Sequence, residues 1–357
     1  MEQKYESYYV PEQSKFPLFA TIGLFLTVMG LGNWLMEISS GTEGSGQKVF
    51  ILGLVIFLFV LWQWFSQVIK ENAAGMNSAQ LKRSYVWGMG WFIFSEVMFF
   101  AAFFGALFYV RKLALPWLSD DLNSTHIWTG FQAEWPLMIT PDMAANGEAA
   151  LVKGPAENMS NPGGAKMLGW LPLWNTILLL ASSVTVHFAH TALKSGKNTR
   201  AFNTWLAVTV SLGFLFLVLQ AEEYIHAYHH MGLTLESGIY GTTFFMLTGF
   251  HGLHVTLGSI MLLVQLQRSV TSWAWRLPGI IALIVAFYVI LFTGHFSLTA
   301  KLLIVGLACL ILVVTSVLRP NGVFDHHDCF GFEASSWYWH FVDFVWLGLF
   351  IFVYILG

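Results

Sequence analysis

Nine separate stretches of this 357-residue sequence run apolar for roughly twenty residues each, and that recurrence limits what the chain can become. They lie at about 17–38, 49–69, 85–110, 168–193, 202–220, 239–266, 277–295, 299–318 and 336–356. Some 20 residues at 1.5 Å rise span the ~30 Å hydrocarbon core of a bilayer. With no water there to satisfy backbone groups, such a segment must close its own hydrogen bonds as a helix. The pattern predicts an all-α polytopic membrane protein with about nine transmembrane helices. Composition agrees: only 10% of residues are charged, against roughly a quarter in a soluble domain. A net charge of -3 gives no basic surface for nucleic acid. Cys309 and Cys329 do not form a disulfide framework, and there is no Cys-x-x-Cys.

The organisation read from these spans is a polar tail over 1–16, a two-helix arm over 17–69 and a helix bundle over 85–357. The tail is polar and no small-residue cleavage site follows the first apolar run, so it does not read as a cleavable signal. Connections are short except for 111–167, a polar loop long enough to be functional or an interaction surface. Eleven of the 17 Lys and Arg residues fall on the side of the N-terminus. The positive-inside rule therefore puts the N-terminus in the cytoplasm, or on the matrix side. An odd helix count then puts the C-terminus and the long loop outside. The loop carries Asp120, Asp121, Glu134, Asp142, Glu148 and Glu157, which would either steer a basic soluble partner or simply be solvated.

Polar groups inside the spans are expensive and so carry the most information. Glu96 sits near the middle of the third span. It is open to two readings: a proton relay or headgroup ligand, or a protonated carboxyl bonded to a neighbouring helix. Its surroundings point it toward another subunit or a structural lipid. His187 and His190, and His251 and His254, each share a helix face. Without a carboxylate-x-x-His companion they read as interhelical hydrogen-bonding groups rather than a haem or di-iron ligand set. His326, His327, Asp328 and Cys329 are crowded into one loop without a second pair, which argues against zinc. Gln220, Glu222, Glu223 and Tyr224 read as interfacial residues at the end of the fifth span, and Asp343 in the last span needs a partner as Glu96 does. No phosphate loop, nucleophile elbow or His-Glu-x-x-His motif is present.

Several stretches together resemble subunit III of cytochrome c oxidase, in the haem–copper terminal oxidase family. They are Phe-Ile-Phe-Ser-Glu-Val-Met-Phe-Phe-Ala-Ala-Phe-Phe at 92–104, Gly-Phe-His-Gly-Leu-His-Val at 249–255, and Gly-Phe-Glu-Ala-Ser-Ser-Trp-Tyr-Trp-His-Phe-Val-Asp-Phe-Val-Trp at 331–346. Trp174-Asn175-Thr176, Ala189-His190, Gln220-Ala221, Glu223-Tyr224 and Ile239 to Phe245 support them in the same order. The resemblance implies seven helices, two plus five in a V with lipid in the cleft. It implies a subunit without haem or copper of its own, packed on subunit I, in a complex with subunit II and other subunits that takes electrons from cytochrome c. It implies support of proton uptake and protection from turnover inactivation. Glu96 matches the family's carbodiimide-sensitive buried carboxyl. Glu71, Arg268, His326 and His327 match positions associated with phospholipid headgroups. His190, Glu223, His251, His254, His340 and Asp343 are expected as buried structural polar groups.

Two departures from the pattern stand out. The loop over 111–167 is long for the family, and the spans at 277–295 and 299–318 read as an inserted two-helix hairpin over 277–318. An inserted pair crosses twice and leaves the last helix in its orientation. The hairpin is expected on the bundle's periphery. Rival readings are the subunit III of a quinol-type oxidase, which usually lacks the two N-terminal helices, and a proton-coupled transporter, which would show inverted repeats and broken midplane helices. The expected location is a bacterial cytoplasmic (inner) membrane rather than a mitochondrial one.

Overall fold

The computed structural model describes residues 9–10, 13–155, 159, 170–196, 199–270, 272–292, 297–318 and 329–356, and the regular structure among them is helical. The expected His326 and His327 positions lie outside the described residues, as does most of the inter-helix segment that carries them. Long helices are α1 (Phe16–Ser40), α2 (Gly46–Ala73) and α3 (Ala79–Tyr109). Short helices α4 (Leu115–Leu118), α5 (Asp121–His126) and α6 (Pro141–Asn146) break up the long loop. Then follow α7 (Leu171–Lys194), α8 (Thr199–His230), α9 (Gly238–Arg268), α10 (Trp273–Phe292), α11 (Leu298–Leu318) and α12 (Phe330–Leu349). Eight of these are long and apolar enough to cross a membrane; the apolar part of α10, Ala274–Ile290, is shorter. The chain divides into two compact units, on either side of Trp91 within α3.

In the first unit α1 and α2 form a hairpin. Glycines spaced seven apart, Gly23 with Gly30 and Gly46 with Gly53, bring the two backbones together. A Cβ on Gly23 would stand 2.8 Å from the Phe57 nitrogen, and one on Gly30 would strike the Phe50 backbone. Between membrane helices no hydrophobic effect is available, so such close van der Waals contact is what holds them. The Glu37 carboxylate accepts from the Gly46 nitrogen at 3.0 and 3.2 Å and so serves the orphan N–H groups that open α2.

In the second unit α12 is the buried axis. Trp339 and Trp346 are fully enclosed. Each indole is satisfied by α7: Trp339 Nε1 donates to Ser182 Oγ and Trp346 Nε1 to Thr176 Oγ1, both at 2.9 Å. Gly258 of α9 leaves room for the Trp339 ring, since a Cβ there would stand 2.9 Å from Trp339 Cε3. As residue numbers rise along α7 the α12 partners fall, so the two helices are antiparallel. The same holds for α8 and α11. Asn203 Nδ2 donates to Ser316 O at 2.8 Å, Cys309 Sγ meets Ser211 O at 3.9 Å, and Lys301 pairs with Glu222. The α10–α11 hairpin therefore packs along α8, with Phe287 of α10 against Phe214.

Candidate functional site

The side chain of Glu96 comes off the Phe- and Ala-rich middle of α3. Phe99, Phe100 and Phe103, one turn and two turns further on, pack on Phe250 and on the His254 ring. This aromatic interleaving seats Glu96 Oε2 2.8 Å from His254 Nε2. The pair is largely withdrawn from the surface, with side-chain exposures of 23% and 8%. On its other face His254 Nδ1 lies 2.6 Å from the carbonyl of Phe250, one helical turn back. A carbonyl only accepts, so Nδ1 must carry the hydrogen and Nε2 faces Glu96. Two arrangements satisfy this: a carboxylic acid donating to neutral imidazole, or a carboxylate accepting from imidazolium. Both carry zero net charge, which answers the cost of a carboxyl at this depth. The sequence left Glu96 open between a group facing another subunit or lipid and a carboxyl bonded to a neighbouring helix; its hydrogen-bond partner lies on such a helix, α9 of the same chain.

Further groups line the α7–α12 contact. Glu333 Oε1 lies 3.3 Å from His190 Nε2 and 3.1 Å from Lys194 Nζ. Deeper in, Ser183 Oγ and His340 Nδ1 are 2.7 Å apart, and Asp343 Oδ2 is 4.0 Å from the same ring nitrogen. Among the described residues the buried Asp343 carboxyl has no hydrogen-bond donor in good geometry, although Ser183 stands beside it. His251 Nε2 is 3.2 Å from the Val342 carbonyl. Glu333, Lys194 and Ser183 were not singled out from the sequence. Starting the last helix at Phe330 rather than 336 is what brings Glu333 onto the α12 face, one turn into the helix.

The residues read as an interfacial end of the fifth span lie elsewhere. Helix α8 continues to His230, so Glu222 and Glu223 sit two turns inside it. Glu222 Oε2 accepts from Lys301 Nζ of α11 at 2.6 Å, and the Lys301 side chain is only 4% exposed. Tyr224 and Thr248 share a hydrogen bond of 2.6 Å. Tyr354 and Tyr240 stand near Glu223, and Asn175 Nδ2 faces Gln220 Oε1 at 3.5 Å. A missed signal was available: a lysine opening an apolar span requires a carboxylate on a facing helix.

Glu71 bonds Gln67 near the end of α2, and Arg268 donates to Gln265 at the end of α9. Among the described residues no three His, Cys, Asp or Glu side chains gather as metal ligands do.

Residues 6–138, 160–276 and 282–357 match the family described as Cytochrome c oxidase subunit III. Curated relatives align over nearly the whole of both chains. Cytochrome c oxidase subunit 3 of Aedes aegypti is 32% identical over 98% of this chain and 97% of the relative. The same-named proteins of Carassius auratus and Papio hamadryas are each 31% identical over 100% of both chains. The chain belongs to the cytochrome c oxidase subunit III family. The matched segments break at 139–159, inside the long loop, and at 277–281, within α10, while 282–318 lies within the match.

The long loop holds its own order near the first break. Asp142 accepts from the Leu151 nitrogen at 2.7 Å, the Val152 nitrogen at 2.9 Å and Asn146 Nδ2 at 2.7 Å. These donors, Val152 foremost, hold the Asp142 carboxyl below the usual aspartate range. Just before α12, burial first and then the neighbouring Glu333 carboxylate push the Cys329 thiol above its usual range.

Proposed function

We propose that this chain is the non-redox subunit III of a proton-pumping cytochrome c oxidase. In the complex, electrons from cytochrome c reduce dioxygen to water while protons cross the membrane. Haem and copper belong to the partner subunits, subunit I in direct contact and subunit II beyond. This chain's role is support: packing against subunit I, holding structural phospholipid, and sustaining proton uptake. The location proposed is a bacterial cytoplasmic membrane with the N-terminus inside. The distribution of basic residues supports that orientation. The animal sources of the relatives keep a mitochondrial inner membrane as the alternative.

The observation that carries the reading is the Glu96–His254 pair at 2.8 Å, built from two of the stretches that resemble the family. It is a proton-holding pair, and among the described residues no metal-ligand set gathers around it. One proton moves between an oxygen and a nitrogen without changing the net charge. Such a pair can hold one shared proton near an uptake route, or respond to a bound headgroup, without performing redox chemistry. Glu71 and Arg268, at helix ends where headgroups lie, are proposed as lipid contacts. His190, Glu223, His251, His340 and Asp343 are proposed as structural polar groups.

The test is purification of the tagged chain from its membrane, with Glu96→Ala and Glu96→Gln alongside. Co-purification with a haem–copper subunit is expected. Haem spectra should be unchanged in both variants, while Glu96→Ala loses activity faster during sustained turnover or retains less lipid. Loss of haem on substitution, or purification free of any haem–copper subunit, would overturn the reading.

A further inference from the structure

Among the described residues two π-helical turns extend long helices, and both border the same cavity. Val110–Ala114 continues α3 and Phe350–Ile355 continues α12. π-helical turns are rare and occur often at functional sites, because the extra residue re-aims side chains. The cavity, of about 410 Å³, is lined by Phe104, Leu107, Phe108, Phe352 and Leu356, with Arg111 and Lys112 at one end. Its volume is in the range of ligand sites, roughly 300–1,000 Å³. Phe108, Phe352 and Leu356 are about half exposed or more, so the apolar wall opens sideways rather than inward. Arg111 is held over the Trp135 ring, its Cζ 5.6 Å from the centroid. Neither Arg111 nor Lys112 forms an ion pair with a carboxylate among the described residues.

From this geometry we infer a binding site for one anionic phospholipid, its phosphate on Arg111 and Lys112 and an acyl chain along Phe104, Phe108 and Phe352. Three features choose that occupant. The two cations lie just past Tyr109, the end of α3, beyond its long apolar run and close to where the polar loop begins, as a headgroup phosphate requires. The wall below them is aromatic and aliphatic, as an acyl chain requires. With neither cation in an ion pair among the described residues and Lys112 exposed, the pair is open to an anion from outside. The site is at the opposite end of α3 from its N-terminal Ala79, and it uses none of the headgroup positions proposed above. It rests on the proposed function only for the choice of the oxidase complex as the sample.

The experiment titrates the delipidated complex with phosphatidylglycerol and, separately, phosphatidylcholine, and counts bound lipid by native mass spectrometry. Arg111→Gln/Lys112→Gln is expected to weaken phosphatidylglycerol binding about thirtyfold, the combined effect of two interfacial cations, and to leave phosphatidylcholine unchanged. Phe108→Trp, which fills the cavity, should weaken both. Unchanged phosphatidylglycerol binding in the double variant, or an equal loss of both lipids, overturns the site. So does a structure of the complex with a partner's side chains in the cavity. If the double variant does not assemble, the unsubstituted complex decides. Phosphatidylglycerol binding at the site must weaken as salt rises, because exposed charges are screened within about 10 Å at 0.1 M, and salt-insensitive binding overturns it. Failure of the chain to purify with a haem–copper subunit would sink the proposed function but not this site, since the titration can be run on the full chain.

Discussion

With the His254 Nδ1 hydrogen committed to the Phe250 carbonyl, the proton of the Glu96 pair can move only along the 2.8 Å line between Oε2 and Nε2. Substitutions should therefore sort by hydrogen-bonding capacity rather than by charge. Glu96→Gln keeps an N–H that donates to Nε2, whereas Glu96→Ala or His254→Leu strands the remaining partner. Stranding a buried polar group costs about 1–3 kcal/mol. A double-mutant cycle on the purified complex, read by thermal unfolding, should return a coupling of that size for Glu96 and His254. Additive single effects would mean that the pair does not couple. Asp142 gives a pH prediction outside the membrane. Its folded-state value is below its unfolded one, so its contribution is full above the usual aspartate range and is lost as pH falls through the folded value. Protection of the Leu151 and Val152 amides, taken as exchange relative to the intrinsic rate at each pH, should fall on acidification, and Asp142→Asn should show the lower protection already at neutral pH. The need of Glu96 for a partner was legible from depth and cost alone. The partner was not, because the two residues are 158 apart in sequence and meet only through α3–α9 packing.

At the scale of elements, the α10–α11 hairpin is fastened to α8 by a polar contact within apolar surroundings. Lys301 and Glu222 are withdrawn from the surface to different degrees, 4% and 22% side-chain exposure. Breaking a buried pair by removing one partner costs about 3–5 kcal/mol, while replacing both with apolar groups is often neutral. The partial exposure of Glu222 sets the expectation at or below the lower figure. Lys301→Met alone should loosen the hairpin, detected as faster proteolysis at the α10–α11 connection. Lys301→Met with Glu222→Leu should recover most of the protection. Failure of the double variant to recover would make the Cys309–Ser211, Asn203–Ser316 and Phe287–Phe214 contacts, rather than the ion pair, the main attachment. The existence of the long helices was legible, because twenty apolar residues in lipid leave no other structure. Helix ends were not: charged and polar residues such as Glu222, Glu223 and Glu333 read as loop or interface, yet are carried inside helices because facing helices supply their partners. The 111–167 stretch hid α5 and α6 for a related reason, since helices of six residues are fixed by caps such as Asp120 and Thr140 rather than by an apolar period.

At the scale of the whole molecule, the contacts decide a question that length leaves open. The apolar part of α10, Ala274–Ile290, is roughly 26 Å long at 1.5 Å per residue, short of the ~30 Å core, and Pro278 lies within the helix. If α10 failed to cross, α11 would run opposite to the direction it has when both cross, and so would α12. The register excludes that. Antiparallel pairing of α8 with α11, through Asn203–Ser316 and Glu222–Lys301, requires an even number of crossings between the end of α8 and the start of α11. Helices α9 and α10 supply that number. Antiparallel α7 and α12, through Thr176–Trp346 and Ser182–Trp339, require the same of the four helices between them. A short helix can span by local thinning of the bilayer, at a cost of fractions of a kcal/mol per Å. Hence the connection after α10 lies on the same side as the long loop, and the α7–α8 connection lies opposite. In a background with Cys309 and Cys329 replaced by Ser, Ser297→Cys and Glu148→Cys should react with a membrane-impermeant maleimide added from one side, the outside in the proposed orientation. Ser195→Cys should react only from the other. Labelling of Ser297→Cys together with Ser195→Cys would mean that α10 returns without crossing, and the helix pairings described for α11 and α12 could not then exist in a membrane.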